Sequence, residues 1–260
     1  MTIAIAISLS EGIVLAADSR TTRWRQAADQ RWADVVTDSA RKLFPLGPRT
    51  AAVTHGRSQV RGHTIAALAA RYAARLAPDA SHDVTTIVDE FLGSLGREEA
   101  AAAADQAAAA ESVGFLVGGY GSDGVGRIYE ATWPAGDRRL LSTTEAPNYH
   151  WRGQGRAITR LFKGLDPAVD VSLLDAKTAE IVARLEYVVP LRQMSLVDGV
   201  ALARLLGSIT LGVARFARAR QGEPDLHQLV GGRLTVATVT LAGYRPVRST
   251  TNASDFVNPL

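Results

Sequence analysis

The sequence predicts an α+β fold in which helices sit apart from mostly antiparallel strands. Strand-like segments pair through short turns at the start and in the middle of the chain. Helical segments come in blocks, two after the first strands and three after the second, and do not alternate with strands one for one as a parallel sheet requires. Glycines also sit in the wrong places for a phosphate loop. Gly118-Gly119 and Gly121 with Gly124 lie between two strands, so they read as turn glycines, and no nucleotide site is expected.

Each element follows from local pattern. Residues 2–9 (TIAIAISL) alternate β-branched with small residues, and Ser10-Glu11-Gly12 is a turn into a second strand at 13–19, which makes a hairpin. Residues 20–38 are polar and arginine-rich and read as a long loop or extended excursion, with Trp24 and Trp32 anchoring it or a subunit contact. Residues 42–44 and 50–54 pair across the Gly47-Pro48 turn. A helix is expected at about 57–77, because Val60, Ile65, Leu68 and Leu76 recur at roughly helical spacing before Pro78-Asp79. A second helix is expected at about 84–109, ending in alanines. Strands follow at 113–119, 125–132, 138–143 and 148–153, then helices at about 156–164, 172–186 and 196–220, and a last strand at 234–241. No interdomain linker or repeat appears, so residues 1–260 read as one domain with an irregular tail at about 245–260.

Composition excludes several chemistries. A chain of 260 residues buries a core without a disulfide or metal staple. It has no cysteine, which removes disulfides, thiolate catalysis and cysteine-ligated metals and fits a reducing compartment. The net charge is +3, with no Lys/Arg run or basic aromatic stripe, so no nucleic-acid partner is expected. The apolar N-terminal segment lacks a charged leader, and no run reads as a membrane span, so a cytoplasmic protein without membrane contact is expected. The five histidines show no metal-ligand spacing, and no metal or cofactor is expected.

Three residues point to chemistry. Thr2 follows Met1 directly, and a small second residue permits removal of the initiator methionine. A chain-terminal threonine carries a nucleophile and a base together, since its free α-amine has a pKa near 8. Asp18 is a carboxylate closing an apolar strand. Lys42 heads another strand in a chain where only three of the 29 basic residues are lysines, which marks a position where arginine does not serve. A lysine beside Thr2 favours the neutral amine, and Asp18 holds the ammonium.

Taken together, these residues resemble the proteasome β-subunit family of N-terminal nucleophile hydrolases. The resemblance runs through the strand pair with Asp18 sixteen residues after Thr2, the Lys-Leu-Phe strand, Thr54-His55-Gly56, the VGFLVGGY and GRIYE hairpin, Gly153-Gln154-Gly155 and the final Gly-Gly and strand. The Asp-Ser-Arg wording, the Arg-Lys pair and the absence of a propeptide resemble bacterial Anbu-type homologues most. The resemblance implies a four-layer αββα sandwich and peptide-bond hydrolysis through an acyl-enzyme. It implies Thr2 as nucleophile, its amine as base, Asp18 and Lys42 as activators, and the Gly56 N–H as oxyanion donor. It also implies that the backbone at Thr22 and Ser58 pairs with an extended peptide or protein substrate, and that Thr54 and Ala40 line the pocket before the cut. A homo-oligomer (ring, stacked ring or helical assembly) is implied, with no unfoldase partner named. Three positions depart from the pattern. Gln154 stands where the family has a serine; aligned back from Gly231-Gly232, His227 and Val230 stand where it has an aspartate and a serine, with Asp225 close by. A weakly catalytic scaffold and an amidohydrolase or transpeptidase on one small substrate remain as alternatives.

Overall fold

The first two strands contain almost nothing but apolar residues, and a strand of that kind needs cover on both faces. In the computed structural model, which describes residues 2–27, 30–76, 83–100, 112–217 and 226–248, β1 (Ile3–Leu9) and β2 (Gly12–Asp18) are buried at every position. They lie inside a five-stranded antiparallel sheet.

A two-stranded ribbon follows, β3 (Thr21–Ala27) with β4 (Gln30–Thr37). Next come β5 (Leu43–Gly47), β6 (Thr50–Gly56) and the two-residue strands β7 (Gln59–Val60) and β8 (His63–Thr64). Helices α1 (Ile65–Ala73) and α2 (Val84–Ala100) precede β9 (Val113–Tyr120), β10 (Gly126–Trp133), β11 (Arg138–Thr143) and β12 (Tyr149–Gly153). Then come α3 (Arg156–Lys163), α4 (Ala176–Ala183), α5 (Leu196–Phe216), α6 (Leu226–Leu229), β13 (Leu234–Thr240) and β14 (Gly243–Val247). One sheet has the order β12-β1-β2-β13-β14 and the other β11-β10-β9-β6-β5, all neighbours antiparallel.

The period of two sorts side chains into three apolar clusters. Ile3, Ile5, Ile7 and Leu9 of β1 face α3 and α5 with Leu202, Ala203 and Leu206. Ala4 and Ala6 of β1, with Ile13 and Leu15, meet Leu43, Val53 and Leu116 of the second sheet. The other face of that sheet carries Phe44, Ala52, Phe115 and Val117 against Leu68, Phe91 and Leu95 of α1 and α2.

Several expectations change. Of the two readings of residues 20–38, the extended excursion holds and the loop does not: Thr21–Ala27 and Gln30–Thr37 pair as antiparallel strands; the side chains of Trp24 and Trp32 lie outside the described residues. The helix expected from 57 starts only at Ile65. Arg61 and Gly62 take positive φ in the turn joining β7 to β8, and Thr64 Oγ1 accepts the Ala67 N–H at 3.2 Å as the N-cap. Val60 shares a core with Ile65 from a strand, which imitates helical spacing. The helix expected over 172–186 shortens to α4, because the Asp175 side chain accepts the Thr178 N–H and caps it there. The last 3₁₀ turn before it spans Val171–Leu173. The alanine end of the second expected helix, 101–109, and residues 218–220 of the long helix lie outside the described residues.

The tail is ordered further than its polarity implies, since β14 pairs with β13 through Val247; residues 249–260 lie outside the described residues. Helix α5 is, at 21 residues and mean hydropathy 1.6, long and apolar enough to cross a membrane, which corrects the expectation that no run is. Its buried residues, Gly199, Leu202, Ala203, Leu206, Gly207, Thr210 and Ala214, form one face packed on β1, β2 and β13.

Phe91 joins α2 to the second sheet, edge-on to Phe115 at 5.3 Å between centroids and fully buried. Phe91→Ala is expected to cost roughly 3–5 kcal/mol in urea unfolding. Leu173→Ala, at a position 82% exposed, is expected to stay within about 0.5 kcal/mol.

Candidate active site

The site grows from the end of β2. Continuing the β1–β2 register puts Asp18 beside Ile3, and its other neighbour is Leu234 of β13. The side chain has no exposed surface. Oδ1 accepts the Ile3 N–H at 3.1 Å and the Lys42 ammonium at 2.9 Å. Oδ2 accepts the N–H groups of Arg20 and Gly231, both at 3.2 Å. Four donors meet the lone pairs that burial removes from water.

Lys42 lies one residue before β5, and its carbonyl accepts the Thr54 N–H at 2.9 Å, so the β5–β6 ladder fixes its backbone. Its ammonium, 7% exposed, also donates to Thr2 Oγ1 at 2.8 Å. Burial pushes the Lys42 ammonium below the ordinary lysine value, against the pull of Asp18 beside it. Because Thr2 Oγ1 accepts from Lys42, the threonine's own hydroxyl proton points elsewhere and is free to leave. A compact ammonium fits between two oxygens in this buried space; a planar guanidinium does not.

The backbone of Thr2 is held separately. Its carbonyl accepts the Gln154 N–H at 2.8 Å. Gly153 has φ of +85°, and a Cβ there would lie 1.8 Å from the Thr2 carbonyl oxygen, so only glycine fits this approach. Gln154 therefore serves Thr2 through its main chain, a contact that does not depend on its side chain.

The remaining expected residues are placed as follows. The β6 Thr54 N–H faces Lys42, whereas the Arg57 N–H donates to Ser112 on the β9 side. The alternation of N–H direction along a strand then turns Gly56 N–H toward Lys42's side. Thr54 is buried and Ala40 half-buried in the segment carrying Lys42. Thr22 is half-buried on β3. Ser58 is exposed, but its carbonyl already accepts the Ile65 N–H at 3.2 Å, so that carbonyl is engaged within the chain. His227 lies in α6, with its side chain outside the described residues, as is all of Asp225. Val230 is buried in the apolar cluster under β1.

Sequence reasoning missed two groups. Ser19, Arg20 and Asp38 surround Asp18, although the Asp-Ser-Arg run and an aspartate four residues before Lys42 were both visible. The second group lies between the sheets, where Glu130 holds Arg152 and Arg139, and His55 and His150 lie close by. Burial, helped by Arg152, pushes both imidazoles down to about 4. His150 pairs with Ser142 Oγ at 3.0 Å, while His55 Nε2 has no hydrogen-bond partner among the described residues. Among the described residues no group of three or more histidine, aspartate or glutamate side chains is placed to hold a metal.

With this geometry in hand, the comparison with solved structures is decisive for the fold. The chain superposes on the helical assembly of the Anbu complex from Pseudomonas aeruginosa with a TM-score of 0.57, over 98% of this chain and 90% of that one, at 17% identity. Anbu from Yersinia bercovieri matches at a TM-score of 0.56 over 98% and 90%, at 15% identity. The fold is that of the Anbu proteins. Anbu from Hyphomicrobium sp. strain MC1 matches at 0.53 over 96% and 89%, at 13% identity. No protein-family model and no curated protein matches the chain. The Anbu fold is thus kept here while most side chains differ.

Gly153→Ala is expected to lower the thermal midpoint by several degrees, since both the positive φ and the contact with Thr2 forbid a methyl group. The imidazoles set an acid limit. Unfolded histidine takes up its proton near 6.5, but His55 in the fold resists until about 4. The unfolded chain binds more protons in that window, so stability falls as pH drops from 6.5 to 4. Urea midpoints across this range are expected to show that slope, and His55→Gln is expected to reduce it without removing it, because His150 is held down to about 4 as well.

Proposed function

We propose that the chain is a threonine-type hydrolase of peptide or protein substrates, working as a self-assembling, proteasome-like protein of the cytoplasm. One observation carries this reading: the buried Lys42 ammonium bridges Thr2 Oγ1 and Asp18 Oδ1. The layering of helices, two sheets and helices is read here as the four-layer αββα sandwich of N-terminal nucleophile hydrolases. Self-assembly draws support from the helical assembly of the Pseudomonas aeruginosa neighbour.

In this mechanism removal of Met1 frees the Thr2 α-amine. The neutral amine takes the hydroxyl proton, and Oγ1 attacks the substrate carbonyl carbon while Lys42 stabilises the charge growing on Oγ1. The Gly56 N–H steadies the oxyanion. The amine returns its proton to the leaving nitrogen, the C–N bond breaks, and an ester on Thr2 remains. Water, deprotonated by the same amine, cleaves the ester and releases the acid. Asp18 keeps Lys42 charged and does not itself exchange a proton with substrate.

A second reading, an amidohydrolase or transpeptidase on one small substrate, is favoured by the engaged Ser58 carbonyl, which removes one rung of extended peptide pairing. The same nucleophile serves both. The intact set of Thr2, Asp18 and Lys42 counts against a scaffold without chemistry.

Intact mass of the protein from its own cells is expected to lack Met1. An epoxyketone, whose ring adduct needs both the hydroxyl and a free α-amine, is expected to label Thr2. Thr2→Ala should abolish labelling, and Lys42→Met should slow it at least about a hundredfold. Full retention of Met1 on the cellular protein would overturn the reading.

A further inference from the structure

Four residues around Asp18 form a knot that the mechanism above does not use. Arg20 sends its guanidinium back over Gly231: a Cβ on that glycine would lie 2.5 Å from Arg20 Cζ. The two backbones also bond directly, Arg20 N–H to the Gly231 carbonyl at 3.1 Å, and both N–H groups reach Asp18 Oδ2. Asp38 grips the guanidinium with two parallel bonds, Nε to Oδ1 at 2.5 Å and Nη2 to Oδ2 at 2.7 Å. The Asp38 carbonyl accepts the Ser19 hydroxyl, and Ser19 Oγ accepts the Arg233 N–H at 2.7 Å. Two residues further on, the Ala40 N–H donates to the Ser19 carbonyl at 2.9 Å. The end of β2, the segment leading to Lys42 and the turn before β13 are therefore tied together across the base of the β3–β4 hairpin.

We propose that the Arg20–Asp38 pair is a positioning unit, which sets the place and charge of Lys42 against Asp18 and Thr2 without touching substrate. Two features of the geometry argue for it. The pair joins the two chain segments that carry Asp18 and Lys42, which lie on different sheets. It also places a cation and an anion of opposite effect beside the Lys42 ammonium. Among the described residues the charged groups acting on that ammonium are Asp18 on β2 and Arg20 and Asp38 at the two ends of the hairpin, and removal of Met1 would add the Thr2 amine. Arg20 opposes the charge on Lys42 and Asp38 supports it, so each offsets the other. The Arg20 side chain is 17% exposed and that of Asp38 50%, so the pair sits at the rim of the buried site and salt screens its Asp38 side.

Loss of Asp38 alone leaves the Arg20 cation unbalanced next to Lys42 and the Thr2 amine. Both nitrogens then give up protons more easily. Asp38→Asn, close to isosteric, is expected to slow β-lactone labelling of Thr2 roughly tenfold and to move both limbs of its pH profile to lower pH. The double variant Arg20→Gln with Asp38→Asn removes both charges, and its limbs are expected to return toward those of the wild type while its rate stays low. Lys42 itself is read by NMR after ¹³Cε labelling of lysine, a tractable spectrum in a chain with three lysines. Its titration is expected to move down in Asp38→Asn.

The labelling arm rests on the hydrolase reading; the NMR arm does not. A wild-type protein that fails to label while Lys42 still moves in Asp38→Asn would sink the hydrolase reading and uphold the positioning role. A Lys42 titration equal in wild type and Asp38→Asn would overturn the proposal, including when labelling slows, because the pair would then act on packing alone.

Discussion

A carboxylate with no exposed surface has to find its hydrogen-bond donors inside the protein, and Asp18 finds four, each on a different segment. β1 supplies one backbone donor, the Arg20 turn a second, the Gly231 turn a third, and Lys42 the charge. Each segment is placed by a different part of the fold. β1 is held in the middle of its sheet, Lys42 by the ladder of the other sheet, and Gly231 by the strand that follows it. The two sheets therefore come into register at this residue. A buried ion pair of this kind gains little net stability, since desolvation offsets much of the attraction. Its position, between a hydroxyl and a carboxylate, is better explained by chemistry than by folding.

The core of this arrangement was legible in the sequence. Alternation in residues 2–9, the turn at 10–12 and the strand at 13–19 announced a hairpin, and the rarity of lysine singled out Lys42 before any contact was known. In the structure Lys42 contacts both Thr2 and Asp18. What escaped was nonlocal. Arg20 and Asp38 lie eighteen residues apart and meet only because the intervening chain folds back as a hairpin. Val60 imitated a helical residue because two elements share one core. α5 is mostly apolar, with Asp198, Arg204 and Arg215 as its charges, and its buried face appears only once the sheet beneath it is placed.

Backbone geometry preserves the site where side chains have changed. Gln154 and Val230 replace hydroxyls that the proteasome-like pattern leads one to expect, yet Gln154 still holds Thr2 by its N–H and Gly231 still reaches Asp18. Main-chain donors do not depend on side-chain identity, so the Gln154 N–H holds Thr2 whatever its side chain. Arg20, held by Asp38, packs over Gly231 next to the buried Val230.

The central claim is that Lys42 keeps its proton while the Thr2 amine is neutral, so that one nitrogen is acid and the other base. ¹⁵N-detected titration of both nitrogens in protein freed of Met1 tests it directly. The amine is expected to lose its proton first, near or below its ordinary value of about 8, with Lys42 still charged at that pH. A Lys42 that deprotonates before the amine would contradict the assignment of roles, because the hydroxyl would then have no cation beside it when the base is ready.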